Sequence, residues 1–111
     1  MDRTTKEARI RQAIMEHRGI NLVHIKDDGE ETRRAVLPYW LARDRRGRMY
    51  VQGYCSLRKA RRSFRLDRIQ YVEERTKEVP LPTYEEIGQP LGLLQSPTGV
   101  ILSRVEGLQH G

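Results

Sequence analysis

The sequence predicts a mainly β fold: a small five-stranded antiparallel barrel preceded by one α-helix. Three observations lead there. A single capped, apolar-periodic segment stands near the N-terminus, and about five short strand-like segments follow at close spacing, punctuated by Asp/Gly turns. The chain has only 111 residues, too few to cover exposed sheet edges at leisure, and closing the sheet removes them.

The helix is expected over residues 5–17. Thr4-x-x-Glu7 has the form of a capping box, Ile10, Ala13 and Ile14 share one helical face, and Gly19 follows as a stop. The first strand is expected over residues 20–25. Asp27-Asp28-Gly29-Glu30 is a hairpin turn in which glycine supplies the positive φ. A second strand over residues 32–37 is expected to end at Pro38, and a third to cover residues 39–43. Asp44-Arg45-Arg46-Gly47 is another turn. The fourth strand, residues 48–55, alternates clearly: Met49, Val51 and Gly53 point one way, and Arg48, Tyr50, Gln52 and Tyr54 the other. A polar loop leads to a segment at residues 62–66, and after Asp67-Arg68 the chain returns over residues 69–73.

Residues 1–78 form one domain on this reading, and residues 79–111 a C-terminal extension. The extension opens on Val79-Pro80-Leu81-Pro82, an extended linker. Thr83-x-x-Glu86 caps a short helix limited by Gly88 and Pro90. Leu91, Leu93 and Leu94 are apolar, Ser96-Pro97-Thr98-Gly99 is a turn, and Val100-Ile101-Leu102 has the composition of a strand. The extension is expected to pack on the barrel or in a homodimer.

Composition narrows the function classes. No run approaches the roughly 18 apolar residues that span a bilayer, and the residues after Met1 have no apolar signal-peptide core. One cysteine, Cys55, excludes an internal disulfide framework; a small buried hydrophobe is its expected role. His17, His24 and His110 lack metal-ligand spacing, so no metal and no cofactor are expected. A soluble, cytoplasmic protein without membrane contact is expected. Net charge is +6, and it is segregated: residues 33–68 hold 12 basic and 2 acidic residues, the remainder 9 basic and 13 acidic. Such a block favours an anionic partner.

The chemistry concentrates in Arg62-Ser63-Phe64-Arg65-Leu66-Asp67-Arg68. Arginine presents a planar fork of donors that matches phosphate oxygens and stacks on bases. Phe64 and Leu66 are expected to face the core, with Ser63 and Arg65 outward, and Asp67 to hold a neighbouring arginine. If the outer face of the fourth strand lies beside these arginines, Tyr50 and Gln52 join them. Cations that track phosphates beside rings that stack bases make a single-strand site. There is no Gly-rich phosphate loop and no nucleophile elbow. His24 and Asp27 are residue types a nuclease uses, but nothing in the sequence sets them beside the arginines, and catalysis is not expected.

Residues 48–69, with Gly53-Tyr54-Cys55, a basic loop and then Arg62-Ser63-Phe64-Arg65-Leu66-Asp67-Arg68-Ile69, resemble the WYL-domain signature. Leu37-Pro38-Tyr39 is similar to that family's Glu-Pro-Tyr segment, and the likeness runs over roughly residues 10–75. Met49 and Val51 stand at the family's Trp and Leu positions; both face the core on the alternation, so they repack it rather than abolish it. The resemblance implies an Sm-like barrel and a ligand-sensing role in transcription regulation or phage defence. It implies a binding face of Tyr50, Arg62, Arg65 and Arg68, with Gln52 and Phe64 beside them. One N-terminal helix does not make a winged helix-turn-helix, so operator binding by this chain alone is not expected.

The leading expectation is therefore a non-catalytic module that binds single-stranded DNA or RNA through an arginine–tyrosine face. Two rivals stand beside it. In one the basic face docks an acidic protein partner, such as a regulator or a CRISPR effector; in the other the protein senses a small nucleotide.

Overall fold

The structure is a computed structural model that describes residues 1–74, 81–83, 86 and 100–105. Helix α1 covers Arg3–Met15, two residues earlier at each end than the sequence suggests. The expected Thr4 capping box is not its start. Asp2 is the cap, its Oδ1 accepting from the Thr5 N–H at 2.8 Å, and Glu7 pairs with Arg3 at 3.1 Å instead. Asp2 stands two residues upstream of Thr4, and from that position its carboxylate meets the orphan N–H of the third helical residue. The helix ends before Gly19 because His17 takes the left-handed position, φ 54°. Its N–H bonds Ile14 O, and the Arg18 N–H bonds Ala13 O, the paired bonds of a Schellman stop. Ile10, Ala13 and Ile14 are at most 1% exposed and seat α1 on the sheet.

Five strands follow in the order of the chain: β1 Ile20–Ile25, β2 Glu31–Arg43, β3 Met49–Cys55, β4 Ala60–Arg65 and, after a 3₁₀ turn at Leu66–Arg68, β5 Ile69–Glu74. Their order in the sheet is β4-β3-β2-β1-β5, all antiparallel. Among the described residues β4 and β5 do not pair, so the sheet is not closed into a barrel.

The two strands expected on either side of Pro38 are one. Pro38 does not break β2, because the ladder to β3 shifts there, from Pro38↔Gly53 to Trp40↔Gln52, skipping Tyr39. A proline at a bulge removes no ladder bond. Gly53 makes the close approach possible: a Cβ there would lie 2.2 Å from Leu37 O and 2.8 Å from Pro38 Cα. Arg34 to Ala42 are buried without a break, the pattern of a central strand covered on both faces.

Part of the C-terminal extension completes the sheet. Strand β6, Val100–Arg104, pairs with Trp40–Arg43 on the edge of β2 that β1 occupies further back. The Val105 N–H bonds Tyr39 O at 2.9 Å, and Val105 is 6% exposed. At Thr83 the expected cap is present, its N–H and Oγ1 both donating to Glu86 Oε1. The linker residues Val79 and Pro80, the helix-limiting Gly88 and Pro90, Leu91, Leu93, Leu94 and the turn at Ser96-Pro97-Thr98-Gly99 lie outside the described residues.

Candidate ligand pocket

Alternation decides which side chains converge. Along β3, Met49, Val51, Gly53 and Cys55 are buried, and Tyr50, Gln52 and Tyr54 are half-buried on the other face. The β3–β4 register sets Tyr50 opposite Arg65, Gln52 opposite Ser63, and Val51 opposite Phe64. Arg62 lies opposite Gly53, on the same face as Phe64. Beside this inner face stands the β1–β2 hairpin, its turn closed by Gly29 at φ 85° and by Asp28 Oδ1 accepting from the Glu30 N–H. Between them opens a cavity of about 650 Å³.

Six cations line the cavity, Lys26, Arg34, Arg58, Arg62, Arg65 and Arg68, against two carboxylates, Asp27 and Asp28. They stand at different depths and in different states. Arg58 and Arg62 are exposed and have no ion pair or hydrogen bond among the described residues. Arg65 is clamped bidentately by Asp67 at 2.6 and 3.1 Å, as the sequence suggests. Arg68 pairs with Asp27, not with Asp67, at 2.7 Å. Arg34 is only 7% exposed. Its Nε donates to Thr32 Oγ1 at 3.2 Å, its Nη1 lies 3.8 Å from Cys55 Sγ, and its guanidinium sits 6.0 Å from the centre of the Phe64 ring. Among the described residues no carboxylate reaches it.

His24 shares this wall. Its ring meets Phe64 edge-on at 5.3 Å, and its Nδ1 is buried without a hydrogen-bond partner among the described residues. Burial, and then the nearby Arg34 and Arg68 charges, hold its pKa below the ordinary 6.5, against a weaker upward pull from Asp27. The imidazole is neutral at pH 7. His24 and Asp27 thus do stand beside the arginines, contrary to the expectation from sequence, because the hairpin folds back over β4.

Lys6 supports the site from behind. It is 8% exposed, and its Nζ donates to Leu66 O at 2.7 Å and Ile69 O at 2.9 Å, so α1 pins the 3₁₀ turn that carries Arg68.

Of the six residues proposed from sequence, Arg62, Phe64, Arg65 and Arg68 line the cavity. Tyr50 and Gln52 do not; they lie on the other face of β3, where the Gln52 Nε2 donates to Ser63 Oγ at 2.8 Å. Sequence reasoning missed Arg34, Arg58 and His24. For Arg34 the signal was present: it lies two residues before Val36 and faces inward with it, yet beside Arg33 it reads as surface charge. Arg33 is the outward one and pairs with Glu73 at 3.1 Å. Among the described residues no cluster of His, Cys, Asp and Glu has the makings of a metal site.

The sequence model described as "WYL domain" matches residues 6–74. A solved structure, the Proteasome accessory factor B/C (PafBC) of Arthrobacter aurescens, is similar to this chain with a TM-score of 0.66 and 28% identity. The match covers 86% of this chain and 14% of that one, so this chain corresponds to a small part of that protein. Among curated proteins nothing matches.

Proposed function

This chain belongs to the WYL domain family, and from that membership together with its cationic cavity we propose that it is a non-catalytic ligand-sensing module that binds single-stranded DNA or RNA. The observation that carries the reading is the uneven state of the cavity's charges. Six cations face two carboxylates, Arg58 and Arg62 have no partner among the described residues, and Arg34 is buried without a counter-charge. Unpaired arginines beside the Phe64 ring suit phosphates flanked by bases. On this reading the binding residues are Arg34, Arg58, Arg62, Phe64, Arg65 and Arg68, and Tyr50 and Gln52 support β3 rather than touch the ligand.

The role we assign is accessory or regulatory, in transcription or phage defence, in the cytoplasm. The likeness to a protein named as a proteasome accessory factor supports an accessory role, and the family resemblance supports regulation.

A titration of labelled single strands of increasing length against the protein tests the reading. Affinity is expected to rise with length. The size of the cavity, within the roughly 300–1,000 Å³ of sites for one small ligand, favours a second reading as a nucleotide sensor. Saturation at one or two nucleotides decides for that reading. No binding at any length overturns both and leaves an acidic protein partner for the basic face.

A further inference from the structure

The cations of the cavity form an outer and an inner tier, and we propose that the inner one, Arg34, takes a phosphomonoester: the terminal phosphate of a single strand or the phosphate of a free nucleotide. This rests on the nucleic-acid reading above and narrows it to the end of the ligand. The outer tier suits a backbone passing by. Arg58 and Arg62 are exposed, and Arg65 and Arg68 are half-buried and held by carboxylates. Arg34 sits deeper, behind them on β2, with Phe64 as its wall.

Two arguments point to a monoester there. The first is charge. A buried guanidinium without an anion is costly, and Thr32 Oγ1 and Cys55 Sγ are neutral partners for only part of its fork. A phosphomonoester brings a charge of about −1.5 to −2 near pH 7, more than an internal diester's single charge. The groups around Arg34 do not oppose it: His24 on β1 is neutral, Arg68 on the 3₁₀ turn is cationic, and the side chain of Asp27 is 96% exposed, turned outward onto Arg68. The second argument is shape. An internal diester carries sugars on two oxygens, so a strand must both enter and leave to bring it to Arg34. A monoester has one ester bond and three free oxygens; it enters end-first and meets the planar fork two oxygens at a time.

The test compares one short thymidine strand in three forms, with a 5′-phosphate, with a 3′-phosphate, or with hydroxyls at both ends, by fluorescence anisotropy against the whole chain. At least one phosphorylated form is expected to bind about tenfold tighter than the hydroxyl form. Folded Arg34→Lys, which keeps the charge but loses the fork, is expected to erase that preference. Arg62→Gln is expected to weaken every form alike and keep the ratio. If Arg34→Lys does not fold, Phe64→Leu, which loosens the seat of the guanidinium, is read in the same way. Competition by thymidine monophosphate at the concentration of the phosphorylated strand supports the monoester and assigns it to a free nucleotide. Equal binding of all three forms overturns the proposal and leaves the single-strand reading standing. A preference that persists in folded Arg34→Lys removes Arg34 from it. Binding of neither strand nor nucleotide overturns the proposal and the single-strand reading together.

Discussion

Arg34 and His24 share one wall of the cavity, and each limits the charge the other tolerates. His24 has its pKa held below 6.5, first by burial and then by Arg34 and Arg68. The unfolded chain therefore takes up the proton before the folded one does. Stability from this group is complete above about pH 6.5 and is lost as pH falls through the lower folded pKa. That window lies above the carboxylate one, where Asp2, Glu16, Asp44 and Asp67 have pKa values lowered from 3.8–4.5 by their hydrogen bonds. A thermal melt taken between pH 7 and pH 5 is expected to show a falling midpoint, and His24→Gln to flatten it. A wild-type midpoint that stays level until the carboxylates titrate shows that His24 is solvated. Gly53 makes a second prediction at this scale. With the Leu37 and Pro38 backbone pressed against the place of a Cβ, Gly53→Ala has no flexible side chain to displace. It is expected to cost about 3 kcal/mol or more in urea denaturation. This contact was not legible in the sequence. The alternation of β3 put Gly53 on the inner face, but only the opposing Pro38 bulge explains why no larger residue fits.

Among the elements, α1 is a scaffold as much as a core helix. Besides its apolar face it sends three basic side chains to backbone carbonyls: Lys6 to Leu66 and Ile69, Arg9 to Val72, and Arg11 to Leu102. Lys6 is the most buried of these, so Lys6→Met is expected to lower stability by about 2–3 kcal/mol, because it strips two charge-assisted bonds from the 3₁₀ turn. It is expected also to weaken ligand binding, since Arg68 loses its support; unchanged stability shows that the carbonyls find water instead. Sequence periodicity located this helix, β1 and the hairpin turns well, because caps, apolar spacing and Asp/Gly pairs are local signals. It misplaced the break in β2, because a proline at a bulge and a proline that ends a strand look alike until the partner strand is present. The pairing of β6 with β2 is a long-range outcome of the same kind.

At the scale of the molecule, the basic block of residues 33–68 does not act as one face. Arg33 is neutralised by Glu73, Arg48 by Asp44, Arg65 by Asp67 and Arg68 by Asp27. What remains for a ligand in the cavity is Arg34, Arg58 and Arg62, only the last of which is among the residues chosen from sequence. If each of the three meets one phosphate, single-strand affinity is expected to fall with salt on a log–log slope of about −2, roughly −0.7 per contact. Arg62→Gln is expected to flatten that slope by about 0.7 and to weaken binding whatever the base sequence. Arg65→Gln is expected to do less, because Asp67 already competes for that guanidinium. Tyr50→Ala is expected to leave slope and affinity unchanged, since Tyr50 does not line the cavity. Arg45→Ala, at the exposed β2–β3 turn, is the control. The opposite pattern, with Tyr50→Ala costing about 1–3 kcal/mol as a lost stacking ring does and Arg62→Gln costing nothing, moves the ligand out of the cavity onto the outer face of β3.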